Sequence, residues 1–184
     1  ALDAVFETLV RSGKEAPTAK LMLIPEAWQS NPNLPANHKT MYEYMASVME
    51  PWDGPAALAM TDGQWAVAGV DRNALRPLRY SRTNDGLLII GSETGMVVVP
   101  ENTIVEKGRL GPGQMIAVNL DEGKLYRDSE LKDRVAAEQD YAALVGGFRS
   151  IEDLPEGKDT SRDWTRAELT RRQVAAGMTL EDME

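Results

Sequence analysis

Four polar side chains crowd one short stretch of this sequence: Asp71, Arg72, Asn73 and Arg76, with Pro77 closing it. Arginine offers a planar fork of donors that suits a carboxylate or a phosphate, and asparagine tolerates positive φ. The stretch therefore reads either as an anion site or as an internal ion pair pinning a bend between strands. Arg79 follows two residues after Pro77, and Ser92-Glu93-Thr94 supplies an acid for such arginines. Arg76 is expected to be at least partly buried, its guanidinium held by backbone carbonyls or by Asp71 or Glu93, because a buried guanidinium without acceptors is costly. Residues 108–113 are glycine-rich but fit neither a Walker A loop nor a dinucleotide loop opening a helix, since Met115-Ile116-Ala117-Val118 follows as a strand. They read as a turn that positions a core strand.

Other chemistries are removed by composition. The 184 residues contain no cysteine and one histidine, which excludes disulfides, thiolate-held metals, a Cys nucleophile within the chain and a His-rich metal site. His38, between Asn37 and Lys39 at an expected helix start, reads as a surface or capping residue rather than a catalytic base. A formal net charge of −9 gives no electrostatic footprint for nucleic acid or an anionic membrane surface. No apolar run approaches a membrane span and the start lacks the basic region of a signal peptide, so the expected compartment is the cytoplasm.

The elements that must position these residues follow from periodicity. Leu2, Val5, Phe6, Leu9 and Val10 define an amphipathic helix over 2–12. An apolar segment predicts a second helix over 17–28, and Asn37 is the expected cap of a third running to about Met49 on Met41, Tyr44, Met45 and Val48. Residues 56–60, 65–70, 78–82, 87–91, 115–120 and 124–127 are strand-like. Asp62-Gly63, Asp85-Gly86 and Glu122-Gly123 predict three antiparallel hairpins. Ala57-Leu58-Ala59 and residues 87–90 do not alternate with polar residues, so both are expected to be covered on both faces, in a sheet sandwiched between another sheet and helices. Trp28, Trp52 and Trp65 are expected to be packed. Asp128 or Ser129 predicts a helix to about Gln139 on Leu131 and Val135, residues 146–163 read as a linker, and Thr165 with Glu168 predicts a capped helix stopped by Gly177. Thr179 starts a further helix, and with a first helix that opens unheralded, both ends are expected to be cut from something longer.

Four motifs carry a resemblance: Glu50-Pro51-Trp52-Asp53-Gly54-Pro55, residues 71–80, Gly91-Ser92-Glu93-Thr94-Gly95, and residues 107–113. Together they resemble the class II glutamine amidotransferase domain of the large (alpha) subunit family of glutamate synthases, in its C-terminal part. Residues 21–28, 124–128 and 178–184 extend the resemblance. Where that family commonly has glycine, this sequence has Ala74, so the bend is reached without glycine there.

The resemblance implies an α+β fold, part of a four-layer αββα N-terminal-nucleophile hydrolase sandwich with antiparallel sheets. It implies residues 1–145 as the end of the amidotransferase domain and 146–184 as a helical linker toward a central domain. In such enzymes the α-amino group of an N-terminal Cys activates its own thiol, which attacks the glutamine amide and releases ammonia for the synthesis of two glutamates from glutamine and 2-oxoglutarate. No catalytic, substrate-binding or metal residue of that machinery maps onto this chain. Asp71, Arg72, Asn73, Arg76, Ser92, Glu93 and Thr94 are the expected supporting residues behind the site. FMN and an iron–sulfur cluster belong to other domains of such enzymes, and the implied partners are the upstream half of the amidotransferase domain, the downstream central and synthase domains, and a small subunit in NADPH-dependent forms. A non-catalytic amidotransferase-like scaffold, and an unrelated β-rich binder with the arginine bend as its anion site, are the other readings the residues allow.

Overall fold

A computed structural model describes residues 1–155, 157, 163–179 and 182 of the chain. Two compact units divide it, Ala1–Phe148 and Arg149–Glu184. In the larger unit the chain opens with α1 (Leu2–Arg11), whose apolar stripe is half-buried, with Phe6 and Leu9 on the core. Next comes α2 (Ala16–Leu23), apolar nearly all round, and a helix without a polar face has to be covered on every side. All eight of its residues are buried. It stops five residues short of the expected end because Ile24 precedes Pro25 and is forced out of the helical region.

Helix α3 (Ala36–Val48) is capped by Pro35, which places Asn37 inside the helix rather than at its cap. Its buried face is His38, Met41, Tyr42 and Met45. Tyr42 thus takes the place expected of Val48, which is 54% exposed. His38 is not on the surface either: it is buried, with Nε2 2.7 Å from Asp133 Oδ1.

Seven strands follow: β1 (Ala57–Thr61), β2 (Trp65–Val70), β3 (Arg79–Thr83), β4 (Leu88–Gly91), β5 (Ile104–Arg109), β6 (Met115–Asn119) and β7 (Lys124–Tyr126). They form two antiparallel sheets, ordered β1-β2-β6-β7 and β4-β3-β5. The three expected hairpins are present, with Ala57 opposite Val70, Arg79 opposite Gly91 and Ala117 opposite Tyr126. In each turn the glycine alone takes positive φ.

The first sheet is sandwiched as its sequence suggests. Trp65, Val67, Met115 and Ala117 join Leu21, Met41, Leu131 and Val135 in a core with the helices. The alternate residues Ala68, Val70 and Ile116 pack with Leu78, Leu110, Tyr80 and Ile90 on the side of the second sheet. Helices α4 (Asp128–Ala136) and α5 (Tyr141–Val145) complete the helical side, with Glu130 Oε2 accepting the Arg127 N–H at the entry to α4. The expected double cover of 57–59 and 87–90 does not hold. Both lie on sheet edges, where Ala59 is exposed and Leu87 is 48% exposed. Trp52, expected to be packed, is 42% exposed.

The smaller unit contains α6 (Arg166–Ala175), where Thr165 Oγ1 accepts from the Glu168 N–H and Glu168 Oε2 accepts from the Thr165 N–H. Gly177, at φ 73, ends it. Of the further helix expected from Thr179, Leu180, Glu181, Met183 and Glu184 lie outside the described residues. Among the described residues no helix is long and apolar enough to cross a membrane, and no group of three or more His, Cys, Asp or Glu is placed to hold a metal ion.

The revised face of α3 separates two members of the expected stripe. Met45→Ala should cost about 2–5 kcal/mol, as deletion of a buried side chain does, and Val48→Ala less than about 0.5 kcal/mol. Urea unfolding of the two variants checks it.

Candidate functional site

Asp71 follows β2 directly, and its carboxylate ties its own bend to the residue before β1. Oδ1 accepts the Ala56 N–H at 3.1 Å and the Leu75 N–H at 3.2 Å, and Oδ2 accepts the Asn73 N–H at 3.0 Å. Its main chain is held as well: the N–H donates to Ala56 O, and the carbonyl accepts from Ala74 and Gly113. Burial pushes the Asp71 carboxyl up, and the amides of Ala56, Asn73 and Leu75 outweigh it, holding the group below its ordinary value. A carboxylate bound this way is an acceptor already in use, which makes Asp71 a structural pin rather than a general base.

The neighbours expected to act with it take different places. Arg72 reaches out to Asp53 at 2.6 Å, with both side chains at least half exposed. Asn73 is exposed and contributes its amide to Asp71. Arg76 is exposed, not partly buried as expected, and its Nε donates to Pro55 O at 3.3 Å. The carbonyl partner was foreseen, whereas neither Asp71 nor Glu93 pairs with it: the Asp71 oxygens are occupied by amides, and Glu93 belongs to the loop after β4. Ser92, Glu93 and Thr94 are exposed there. Glu93 and Thr94 line a cavity of about 510 Å³ with Arg79, apart from the bend.

Asp71 and Arg72 instead border a cleft of about 780 Å³ with Glu26, Trp28, Trp52 and Asp53. Gly113 packs against Glu26, one of its walls. With φ 67 and its α-carbon against Glu26, this glycine has no room for a side chain, since a Cβ would approach Glu26 Cα to 2.8 Å. The glycine-rich run is therefore two things: residues 107–109 are the end of β5, and the turn after Leu110 docks on Asp71 and Glu26. Ser30 is the hydroxyl on the walls of the cleft, and His38 does not line it, so no Ser–His pair forms there.

Beneath the cleft lies a buried ionic network that the sequence reading did not single out. Lys132 Nζ meets Glu26 Oε1 at 2.8 Å and Asp128 Oδ2 at 2.7 Å, and the Tyr42 hydroxyl donates to Glu26 Oε1 at 3.0 Å. Asp128 Oδ1 accepts the Met115 N–H. Lys20, fully buried in α2, donates to Ile24 O at 2.9 Å and Val70 O at 3.4 Å, passing over Gly69, where a Cβ would come within 2.5 Å of Lys20 Cε. Burial pushes the Lys20 ammonium down to about 8, and Lys132 adds to the effect against the opposing pull of Asp128, Glu26 and Asp71. The signal was available: a lysine inside a segment with no polar face has to be buried with it.

Residues 1–144 match the family described as Glutamine amidotransferases class-II. The whole chain is similar to a glutamate synthase [NADPH] large chain of Azospirillum brasilense, at 55% identity over 186 aligned residues. It is also similar to the glutamate synthase [NADPH] large chain of Bacillus subtilis at 38% identity, and to ferredoxin-dependent glutamate synthase 2 of Synechocystis at 40%. The chain spans about 12% of the length of each of these relatives.

Two outcomes are expected of the site. Ala74 is the one non-glycine residue with positive φ, at 50°, among the described residues. Relief of that conformation should let Ala74→Gly raise stability by about 0.5–1 kcal/mol, net of the entropy glycine adds to the unfolded chain. Thermal melts read this directly. For Lys20, the native pKa of about 8 lies below the ordinary 10.5, so between these values the unfolded chain binds the extra proton. Stability from this residue therefore rises with pH across that window. Lys20→Met should abolish the rise, as seen by denaturation at pH values on either side of it.

Proposed function

The chain belongs to the class II glutamine amidotransferases, and from that membership we propose that it is a segment of a glutamate synthase large chain, taken from the domain that hydrolyses glutamine to release ammonia. The parent enzyme would use that ammonia to make two glutamates from glutamine and 2-oxoglutarate. The observation that carries this reading is 55% identity along the entire chain to a glutamate synthase large chain.

Residues 1–145 form the later part of the amidotransferase domain in this reading, and 146–184 lead toward a central domain. The two packed antiparallel sheets and the helices on one side supply three layers of a four-layer αββα sandwich, with the remaining layer and the upstream half of the domain contributed by polypeptide outside these residues. Downstream central and synthase domains, and a small subunit where NADPH is the donor, are the further partners in a cytoplasmic enzyme. A chain without cysteine offers no thiolate to an iron–sulfur cluster, and we place that cluster and the flavin outside residues 1–184.

Asp71, Arg72, Asn73 and Arg76 act by fixing the bend at the end of β2, and Ser92, Glu93 and Thr94 shape the end of β4. None touches the amide that is cleaved. Catalysis needs an activated nucleophile and oxyanion donors, and this chain has no thiol to activate. The 184-residue chain alone should release no ammonia from glutamine in a coupled assay, whereas the parent enzyme should. Turnover by the isolated chain, blocked by a glutamine-analogue inactivator that labels one of its residues, would overturn the assignment.

A further inference from the structure

The outer face of the second sheet carries an ionic arrangement that nothing in residues 1–148 completes. Arg79 of β3 stands directly opposite Arg109 of β5, so the two side chains leave the same face with Cβ atoms about 5 Å apart. Like charges so placed repel. The other cations of this sheet have acids: Lys107 is held by Glu101, while Arg82 shares Glu106 with Arg127, which reaches across from the start of α4. Among the described residues Arg79 and Arg109 have neither a carboxylate nor a hydrogen-bond acceptor for their guanidiniums, and both are exposed. Along β5 the exposed residues alternate as Val105, Lys107 and Arg109, so the three leave one face of the strand, and the loop 93–99 borders that face beside Arg79 and Lys107. On the far side of Arg79 its partner is Gly91, and Met96 lies where a Cβ on that glycine would be. Val97 and Val98 follow, with Val98 96% exposed.

We propose that this face is a docking surface for an acidic segment of the parent polypeptide outside residues 1–184, whose carboxylates sit between the Arg79 and Arg109 guanidiniums. The inference rests on the reading that the chain is one piece of a larger enzyme. Three observations select this occupant. Two unpaired arginines side by side ask for carboxylate, and a bidentate acid serves both while removing their repulsion. A small free anion would satisfy the arginines but leave Val105, Met96, Val97 and Val98 in water, and exposed apolar groups rimmed by charge mark a macromolecular contact. The chain covers 12% of its relatives' length, so most of the polypeptide available to dock lies outside it.

The test uses the full-length parent enzyme. Arg79→Gln and Arg109→Gln, singly and together, should make the amides of β3 and β5 exchange hydrogen about tenfold faster, because removal of one partner of a desolvated charge pair weakens the contact. High salt should shift the wild type in the same direction. Should the glutamine variants fail to fold, Arg79→Lys keeps the charge and loses the fork, and should give a smaller acceleration of the same amides. A photo-crosslinker in place of Val105 should capture an Asp- or Glu-rich peptide from outside residues 1–184. Unchanged or slower exchange in the variants would overturn the proposal. So would a crosslink to a second copy of residues 1–184, or full protection of these amides conferred on the isolated chain by inorganic phosphate or citrate. Glutamine hydrolysis measured on the same samples separates the two readings: a parent that releases ammonia while these amides ignore both substitutions leaves the function standing and removes the docking surface.

Discussion

The structure of the larger unit depends on one carboxylate whose hydrogen bonds are supplied by backbone amides. Asp71 is buried just after β2, and its charge is tolerable because two amides of its own bend and that of Ala56, before β1, point at it. Those three hydrogen bonds fix where residues 56, 73 and 75 stand. The Asp71 carbonyl adds Gly113 to the group, which brings the turn between β5 and β6 onto the start of the bend between β2 and β3. One residue thereby joins three separate pieces of chain. Ala74 takes a left-handed conformation that alanine resists, and it does so because the bend around Asp71 leaves its backbone no other course.

From Gly113 the constraint passes into the helices. Its α-carbon lies against Glu26, Glu26 is bound by Lys132 and Tyr42, and Lys132 shares Asp128 with the first residue of β6. Lys20 runs underneath, from α2 to the carbonyl of Val70, the residue before Asp71. A buried ion pair is weak support for stability in general, but breaking one leaves a charge without a partner. The value of this network is geometric. It ties the C-terminal end of α2, the beginning of α4, the end of β2 and the start of β6 to one another, and to the cleft through Glu26.

Much of this is legible in the sequence alone. The hairpins announced themselves through Asp-Gly and Glu-Gly, because a turn that needs positive φ at one position has few residues to choose from. A sandwiched sheet was expected from the unalternating runs 57–59 and 87–90, and the sandwich is present, but its doubly covered strand is β2, while those two runs lie on sheet edges. What escaped notice was set by tertiary contact. Strand β5 has the alternation of a strand, yet its Lys, Gly and Arg sit in a glycine-rich window that looks like a turn. Val48 fits the stripe of α3 by spacing, and only the end of the core decides that Tyr42 is inside and Val48 outside. His38 and Lys20 belong to types found mostly at the surface, and their burial became possible through partners 95 residues away in one case and a bare glycine backbone in the other. Arg76 illustrates the reverse error: a guanidinium close to an acid in sequence is no guide when that acid is already saturated by amides.

The fate of the arginines shows why position on the fold, not residue type, assigns their roles. Arg72 spans the mouth of the cleft to Asp53, Arg76 latches onto a carbonyl, and Arg82 meets its acid across the sheet. Each is complete within this chain. Arg79 and Arg109 have the same chemistry and face one another instead. On the helical side every buried charge has found a partner, while the outer face of the second sheet shows unpaired cations beside exposed valines. A fold selected to stand alone would have no reason to leave the two sides so unequal, since one acidic residue at position 81, next but one to Arg79 and diagonal to Arg109, would ease the repulsion at little cost. The imbalance is what remains when a surface shaped against other polypeptide is viewed without it.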